Sequence, residues 1–146
     1  MSIWRSVQSI EQLNANGCGT LIENLGILFT QIGDDFVRGT MPVDTRPVQP
    51  YGLLHGGASV ALAETLGSTG AAMCVNASEY QVVGQEINAN HVRAARSGLV
   101  TGTARPVHVG GRTQVWSIDI VNEAQKLVCI SRITMAVIKR GALAPP

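Results

Sequence analysis

The sequence predicts an α+β fold in which an antiparallel β-sheet wraps around one long central helix. Residues 57–75 are interpreted as that helix, because they form an apolar segment that is rich in small side chains and carries a single charge. Two apolar or alternating runs precede this segment and four follow it, and each run is typical of a strand. One helix set between two groups of strands favours antiparallel pairing over alternating βαβ units. The six predicted strands span residues 27–32, 36–43, 81–92, 98–107, 112–122 and 127–138.

Local signals place the shorter elements. Ser9 and Gln12 match a capping box, so a short helix is predicted to begin near Ser9 and to end at Asn16-Gly17. A second short helical turn is predicted over residues 21–25. The residues Gly33-Asp34-Asp35 indicate a hairpin between the first two strands.

The connections and the domain limits follow from the same signals. Residues 44–57 form a loop that contains Pro47, Pro50 and Gly52. We expect a single domain over residues 1–140 and a flexible tail over residues 141–146. Further turns are predicted at residues 96–98, 110–111 and 122–123.

The long helix is predicted to be covered on most of its sides, because it is apolar nearly all round. Gly67 and Gly70 lie inside it, and each costs about 1 kcal/mol relative to alanine. Such glycines make sense where strands pack closely against a helix. A membrane span is disfavoured, because several of its residues are Gly, Ser or Thr and Glu64 would cost roughly 3 kcal/mol at the centre of a bilayer.

Composition narrows the class of protein. Charged residues are 14% of the 146 residues, against about 25% in a typical soluble domain. The net charge is +1, which gives no basic surface of the kind that binds nucleic acid. The shortage of charge predicts surface that faces another protomer, and therefore an oligomer. The N-terminus has no apolar run typical of a secretory signal, so the cytoplasm is the expected location.

The three cysteines are not arranged as a metal or disulfide framework. Cys18, Cys74 and Cys129 are widely spaced, odd in number and far from the histidines in sequence. We expect them to be buried free thiols in a reducing compartment. No metal and no cofactor are expected.

The start of the long helix carries the sharpest chemical signal. The Gly56-Gly57 pair leaves free N–H groups at the positive end of the helix dipole, where they can stabilise an oxyanion. Glu64 lies two turns further on, and Ser68 follows at i+4 on the same face. A carboxylate on an apolar helix is paired, hydrated or functional. From the residues alone, ordinary alternatives stay open: a turn without a ligand, a structural His55, and a Ser68 bonded to helix carbonyls.

The segment Gly52-Leu53-Leu54-His55-Gly56-Gly57-Ala58-Ser59, continued by Ala63-Glu64-Thr65, resembles the signature of hotdog-fold acyl-CoA thioesterases. Within that fold it is similar to the branch whose catalytic carboxylate lies on the central helix. This branch includes the phenylacetate-pathway thioesterases, the enterobactin proofreading thioesterases and, with the greatest similarity, the 1,4-dihydroxy-2-naphthoyl-CoA hydrolases of menaquinone synthesis. The resemblance implies a hotdog fold over nearly the whole chain. Matching segments also lie at residues 32–35, 41–44, 84–93, 114–116 and 131–132.

The resemblance implies a catalytic role for each of five residues. Glu64 would be the nucleophile or the general base that attacks the thioester, directly or through water. Gln49 would contact the thioester carbonyl, and the Gly57 N–H would stabilise the oxyanion. His55 would position the carbonyl or the leaving thiolate, and Ser68 would orient the attacking water or Glu64. The resemblance also implies a homodimer in which Glu64 faces Gln49 and His55 of the other chain, with dimers paired into a homotetramer.

Basic side chains suit the binding of a phosphate-bearing group such as the nucleotide of coenzyme A. Nine of the eleven basic residues are arginine, whose guanidinium binds phosphate with two parallel hydrogen bonds. Read without the resemblance, the basic clusters fit solvated strand ends equally well. With it, Arg93 and Arg112 are the leading phosphate ligands. The residues implied to contact coenzyme A are Val82, Val83, Gly84, His91, Arg93, His108, Gly110, Gly111 and Arg112.

An apolar pocket for an aromatic acyl group is also implied by the resemblance. Trp116 alternates with apolar neighbours, so we interpret it as part of a half-buried strand face without a chemical role. The pocket candidates are Leu21, Leu25, Val60, Leu62 and Met73.

The leading function is hydrolysis of acyl-CoA thioesters, with 1,4-dihydroxy-2-naphthoyl-CoA as an example of the substrate. One alternative is a proofreading thioesterase that acts on misloaded acyl carrier proteins. Another is a non-catalytic acyl-CoA-binding module, which could dispense with Glu64 and would usually carry a DNA-binding segment that the sequence does not contain. No Gly-x-Ser-x-Gly motif supports a serine hydrolase, and no Asp-x-x-x-x-His pair supports a hydratase of this fold.

Overall fold

A six-stranded antiparallel sheet packs around the long helix in the computed structural model, which describes residues 1–141. The helix contacts five of the six strands. This confirms the predicted α+β class. In chain order the elements are α1 (Ile10–Asn16), α2 (Leu21–Asn24), β1 (Leu28–Ile32), β2 (Val37–Pro42), α3 (Gly56–Met73), β3 (Tyr80–His91), β4 (Leu99–Val109), β5 (Thr113–Asn122) and β6 (Leu127–Lys139).

The strand order places β3 at an open edge of the sheet. The order is β1-β2-β4-β5-β6-β3, and every pairing is antiparallel. β3 and β1 therefore form the two opposite edges of the sheet. The inner edge of β3 pairs with β6 along its whole length, from Tyr80 with Lys139 to His91 with Cys129. Its outer edge is not paired within the described residues.

The predicted element boundaries agree with the structure to within two residues. The difference that matters most is at the end of β4. The sequence predicts that this strand ends at residue 107, whereas it continues to Val109 in the structure. A bulge between Pro106 and His108 shifts the register there, so that the strand accommodates a proline that has no N–H to donate. His108 therefore lies in a strand and not in the following turn. The predicted tail falls outside the described residues except for Gly141.

Close packing between α3 and the sheet explains the two glycines inside the helix. A methyl group at Gly67 would approach Ile133 Cγ2 to 2.7 Å, and one at Gly70 would approach Trp116 Cζ3 to 2.7 Å. Leu62 and Leu66 are fully buried on the same side. The helix is therefore held against the sheet at a distance that only glycine permits at these positions.

Trp116 is a rigid part of this contact. It is fully buried, its indole N–H donates to Gln114 Oε1 at 3.0 Å, and its ring stacks on Trp4 with the centroids 6.0 Å apart. Gln114 is itself buried and donates through its amide to the Ala71 carbonyl at 3.3 Å. The polar groups beneath the helix are therefore satisfied, and the ring cannot move aside freely. The predicted half-buried strand is confirmed, since Trp116 lies with Gln114, Ile118 and Ile120 on the buried face of β5.

The cysteines correct one expectation. Cys74 and Cys129 are buried free thiols as predicted, whereas Cys18 is exposed, because it follows the exposed end of α1. Burial raises the pKa of Cys74 to about 11 and also raises the pKa of Cys129. Both buried thiols therefore stay protonated at neutral pH and behave as small apolar side chains.

The N-terminal helices are fastened to the sheet. Ser9 caps α1 through the predicted capping box with Gln12. The Asn14 side chain then bridges to β1, since its amide donates to the Phe29 carbonyl at 3.1 Å and its oxygen accepts from the Phe29 N–H at 2.8 Å. These two bonds fix α1 at the β1 side of α3. Within residues 1–141, no helix has both the length and the apolar character needed to cross a bilayer.

We predict that Gly70→Ala destabilises the fold although alanine favours helix. The gain in helix propensity is about 1 kcal/mol, but the new methyl group would overlap the fixed Trp116 ring, which costs about 1–3 kcal/mol. The net loss should be up to about 2 kcal/mol in the free energy of unfolding, measured by denaturant titration. Gly111→Ala is the matched control, because a methyl group there meets open space. A loss in the control as large as that at Gly70 would contradict this account.

Candidate active site

The start of α3 is capped by the histidine that precedes it. His55 is the N-cap, and its Nδ1 accepts a hydrogen bond from the Gly57 N–H at 2.8 Å. Nδ1 is therefore unprotonated, and Nε2 carries the proton in the neutral ring. This is the role that short polar side chains usually have at helix starts. The Gly57 N–H, which the resemblance implies as the oxyanion donor, is thus already paired with His55.

The adjacent N–H is the free one. Gly56 is the first residue of α3, and its N–H has no acceptor within residues 1–141. The imidazole of His91, at the end of β3, lies against the same glycine, since a methyl group at Gly56 would approach His91 Nε2 to 2.7 Å. The sequence predicts free N–H groups at the Gly56-Gly57 pair, but only the cap geometry shows which of the two is paired.

Glu64 and Ser68 meet on one face of α3, as their spacing predicts. The Ser68 hydroxyl donates to Glu64 Oε1 at 3.2 Å and also lies 3.8 Å from the Met135 sulfur. Both side chains are half-buried. The ordinary alternative for Ser68, a bond back to the helix carbonyls, is wrong for this residue. It applies to Thr65, whose hydroxyl donates to the Ala61 carbonyl at 2.7 Å.

Gly84 on β3 makes room for the Glu64 carboxylate. A methyl group at Gly84 would lie 2.6 Å from Glu64 Oε1, so any larger residue would displace the carboxylate. Directly after Gly84, the β3–β6 register shifts before Glu86. The carboxylate is therefore enclosed by Ser68 on its own helix and by the backbone of the edge strand.

Gln49 lies in a folded loop that leads into α3. Its side-chain oxygen accepts from the Tyr51 N–H, and its backbone is held by Leu53 and Gly52 at 2.8 Å each. The Gln49 amide nitrogen has no acceptor within the described part of the chain. Two donors are thus available to a ligand. The loop is tied to the helix start, because the His55 N–H donates to the Pro47 carbonyl at 2.7 Å.

Within one chain, the helix start and Glu64 do not form one site. Glu64 lies seven positions after Gly57, which corresponds to about 10 Å along the helix axis. A donor to an oxyanion must lie about 3 Å from it, and the attacking carboxylate or water must reach the same carbon. One protomer therefore presents two separate groups of candidate residues, one at the helix start and one at mid-helix.

The residues proposed to contact coenzyme A are divided in the same way. His91 and Arg93 lie at the end where α3 begins, and the exposed Arg93 donates from Nε to the Leu127 carbonyl at 3.3 Å. The Gly110-Gly111 turn shares a 550 Å³ cavity with Cys74, near the end of α3. His108 and the exposed Arg112 flank that turn, whereas Val83 and Gly84 lie at the middle of β3. Because the 18 residues of α3 span about 27 Å, one chain does not bring the two clusters together.

The acyl-pocket candidates are also dispersed. Leu62 is fully buried in the core and Leu21 is 61% exposed. Leu25 and Val60 are half-buried. Met73 lines a 380 Å³ cavity between the N-terminal helices, α3 and β3, and the other four candidates do not line it.

Comparison with known proteins identifies the family. The thioesterase superfamily pattern matches residues 51–129, which contain the start of α3, Glu64 and most of the sheet. The chain belongs to the thioesterase superfamily. It is a hotdog-fold thioesterase, as the sequence resemblance implied, and a thioester hydrolase.

Three relatives cover most of the chain. The 1,4-dihydroxy-2-naphthoyl-CoA hydrolase of Escherichia coli is 52% identical over 93% of this chain and 99% of its own length. A crystal structure of a Pseudomonas aeruginosa thioesterase, in which a glutamine is replaced by alanine, is 48% identical with a TM-score of 0.93, covering 94% of this chain and 99% of that one. A Staphylococcus aureus protein has been solved as two variants, and the one that lacks a glutamate is 39% identical with a TM-score of 0.79, covering 82% and 98%.

We predict that the His55 cap contributes to stability and that asparagine replaces it. His55→Ala removes the acceptor for the Gly57 N–H and should lower the free energy of unfolding by about 1 kcal/mol. His55→Asn offers a side-chain oxygen at the same position and should recover most of that loss. Denaturant titration of the three proteins measures both effects. Equal losses in the two variants would show that His55 stabilises the helix by some other contact.

Proposed function

We propose that this chain hydrolyses aromatic acyl-CoA thioesters, with Glu64 as the nucleophile or general base. The observation that carries the proposal is the half-buried Glu64 carboxylate, which Ser68 holds at 3.2 Å on a helix that has no other charged residue. A carboxylate removed from bulk water and hydrogen-bonded on one oxygen is oriented for attack through the other.

The spacing of two residues supports this choice. In the Staphylococcus aureus relative, the glutamine and the glutamate replaced in the two solved variants lie 15 positions apart. Gln49 and Glu64 are separated by the same number of positions here. This agreement favours a shared pair of functional residues, with Gln49 as the amide that contacts the thioester carbonyl.

The start of α3 would stabilise the charge that develops in the reaction. Attack on the thioester carbon converts its carbonyl oxygen into an oxyanion, which needs donors that are already in place. We assign the free N–H of Gly56 and the amide of Gln49 to this oxygen. The Gly57 N–H adds to the local positive potential. Its own hydrogen bond to His55 stabilises the first turn of the helix.

Two routes lead to the same products. In the first, a Glu64 oxygen attacks the carbonyl carbon, the thiolate of coenzyme A leaves, and water then hydrolyses the resulting anhydride. In the second, Glu64 removes a proton from a water molecule, whose oxygen attacks the carbonyl carbon. The intermediate then collapses with loss of the thiolate, which takes up a proton. In either route Ser68 keeps the carboxylate directed at the substrate.

The active site is proposed to form between two protomers. The separation of about 10 Å along α3 keeps the donors of one chain away from its own Glu64. The open edge of β3 offers 12 residues for pairing, and unpaired sheet edges favour pairing with another chain. Antiparallel pairing of two such edges would bring the His91 end of one chain beside the Gly110-Gly111 end of the other. That arrangement unites the two groups of residues proposed to bind coenzyme A, including Arg93 and Arg112.

The finer assignments follow from the same resemblance. The E. coli relative supports 1,4-dihydroxy-2-naphthoyl-CoA as the substrate, and with it a role in menaquinone synthesis. A homotetramer of two such dimers and a cytoplasmic location remain predictions. A substrate bound to an acyl carrier protein is the main alternative, and it is tested by comparing the same acyl group on coenzyme A and on a carrier protein.

We predict that Glu64→Gln lowers kcat by about 10²–10⁴-fold, because the amide can neither attack nor accept a proton from water. Thiol release from benzoyl-CoA and naphthoyl-CoA measures the effect, and thermal melting shows whether the fold is kept. Glu11→Gln is the matched control, since Glu11 is exposed on α1, and it should leave kcat unchanged. A Glu64→Gln enzyme that keeps most of its activity would refute the mechanism.

We predict that mixing two inactive variants restores activity if the site is shared. A dimer of Glu64→Gln with Gln49→Ala contains one intact site of two, so random pairing should return about a quarter of wild-type activity. Glu64→Gln mixed with Ser68→Ala is the control, because both changes lie on the same half-site and no intact site forms. Both mixtures are refolded together and assayed for thiol release. No recovery in the first mixture would place the whole site within one chain.

A further inference from the structure

The Ser68 hydroxyl has two acceptors within reach and one proton to donate. It lies 3.2 Å from Glu64 Oε1 and 3.8 Å from the Met135 sulfur. A hydroxyl donates one hydrogen bond at a time, and a thioether sulfur is a weak acceptor. The charged carboxylate is the stronger acceptor, because a hydrogen bond to an ionised group is roughly twice as strong as a neutral one. The reaction proposed above uses the bond to Glu64 but gives no role to the sulfur.

Met135 is held beneath Ser68 by the sheet. It lies on β6 and is 1% exposed. In the strand register it stands between Gln114 of β5 and Gly84 of β3. Gln114 is buried as well, and its amide donates to the Ala71 carbonyl of α3. This row of residues therefore faces the helix, and the sulfur reaches Ser68 from a side chain with little freedom to move.

The neighbour of Met135 on β3 is the glycine that makes room for Glu64. A methyl group at Gly84 would lie 2.6 Å from Glu64 Oε1, which is the same oxygen that accepts from Ser68. The carboxylate oxygen thus occupies the space of a side chain at Gly84, next to Met135 in the register. Carboxylate, hydroxyl and sulfur are therefore gathered at one place on the inner face of the sheet.

Both proposed routes remove the negative charge of Glu64 for part of the reaction. Attack by the carboxylate makes it one side of an anhydride, and removal of a proton from water makes it a carboxylic acid. Either form is neutral, so its oxygen accepts from Ser68 less strongly than the carboxylate does. The advantage of Glu64 over the sulfur as an acceptor is smallest in this state.

Without the sulfur, the hydroxyl would turn to the helix backbone when Glu64 is neutral. Serine and threonine inside a helix can donate to the carbonyl four residues earlier, as Thr65 does to Ala61 at 2.7 Å. For Ser68 that carbonyl is the one of Glu64 itself. The Met135 sulfur belongs to the sheet, so a hydroxyl bonded to it stays directed away from the helix backbone.

We propose that Met135 is a positioning residue, whose sulfur accepts a hydrogen bond from Ser68 while Glu64 is neutral. Ser68 is then in place to bond the carboxylate when its charge returns. The inference rests on the proposed function, since it requires Glu64 to lose and regain its charge in the reaction. In this role Met135 acts only through Ser68. Its loss should therefore lower kcat, leave KM nearly unchanged, and have no effect once Ser68 is absent.

Removing the sulfur in two backgrounds tests the proposal. Met135→Leu keeps roughly the volume of the side chain without an acceptor. We expect kcat for thiol release from benzoyl-CoA to fall about threefold to tenfold, as for the loss of one hydrogen bond, with KM changed less than about twofold. In the Ser68→Ala background the same substitution should change kcat less than about 1.5-fold. Met41→Leu is the matched control, since Met41 is fully buried on β2, and it should leave kcat unchanged.

An equal fall in kcat in both backgrounds would overturn the inference, because Met135 would then act through packing. No fall in either background would overturn it as well. Thermal melting shows whether each variant is folded. If Met135→Leu does not fold, norleucine is incorporated in place of methionine in the wild-type and Ser68→Ala proteins. This residue has the shape of methionine without the sulfur, and the same comparison then decides.

Glu64→Gln, assayed beside these variants, separates the two proposals. If it keeps most of the wild-type activity, the proposed function fails and the role of Met135 fails with it. If it loses activity while the effects of Met135→Leu and Ser68→Ala multiply independently, the proposed function stands and only the role of Met135 is refuted.

Discussion

The contact between α3 and the curved sheet is the constraint on which the rest of the structure depends. An apolar helix with one charge must bury one face, and the sheet accepts it closely because Gly67 and Gly70 present no side chain to Ile133 and Trp116. The opposite face is only half-covered. Glu64 lies on that face, where its carboxylate avoids full burial and remains open to a ligand.

The same geometry separates the chemical groups within one chain. The donors lie at the first turn of α3 and the carboxylate lies two turns later, because a helix advances about 1.5 Å per residue. A single protomer therefore keeps these two sets of groups apart, as the proposed shared site requires. β3, whose outer edge has no partner strand within residues 1–141, borders the Glu64 carboxylate through Gly84, so the sheet edge that could pair with another chain also encloses Glu64. This coupling gives the low charge content a physical reason, since the half-covered helix face and the sheet edge both tolerate few charges.

The N-terminal helices add a second layer to this arrangement. They do not belong to the segment matched by the superfamily pattern, yet they close the space beside the second half of α3. The N-terminal helices therefore enclose a cavity beside the half of α3 that follows Glu64.

The sequence by itself determined the class of fold, the family and the position of the long helix on which Glu64 lies. Hydrophobic periodicity, the Ser9 capping box and the turn residues are local signals, and so the element boundaries followed to within two residues. The i+4 spacing of Glu64 and Ser68 was also local, and their hydrogen bond confirmed it. Only the tertiary structure decided that the Gly56 N–H is free while the Gly57 N–H is paired, because the cap depends on the rotamer of His55. Only the tertiary structure separated the His91 end from the Gly110-Gly111 end, exposed Cys18 and formed a cavity lined by Leu13, because these features depend on contacts between residues far apart in the chain.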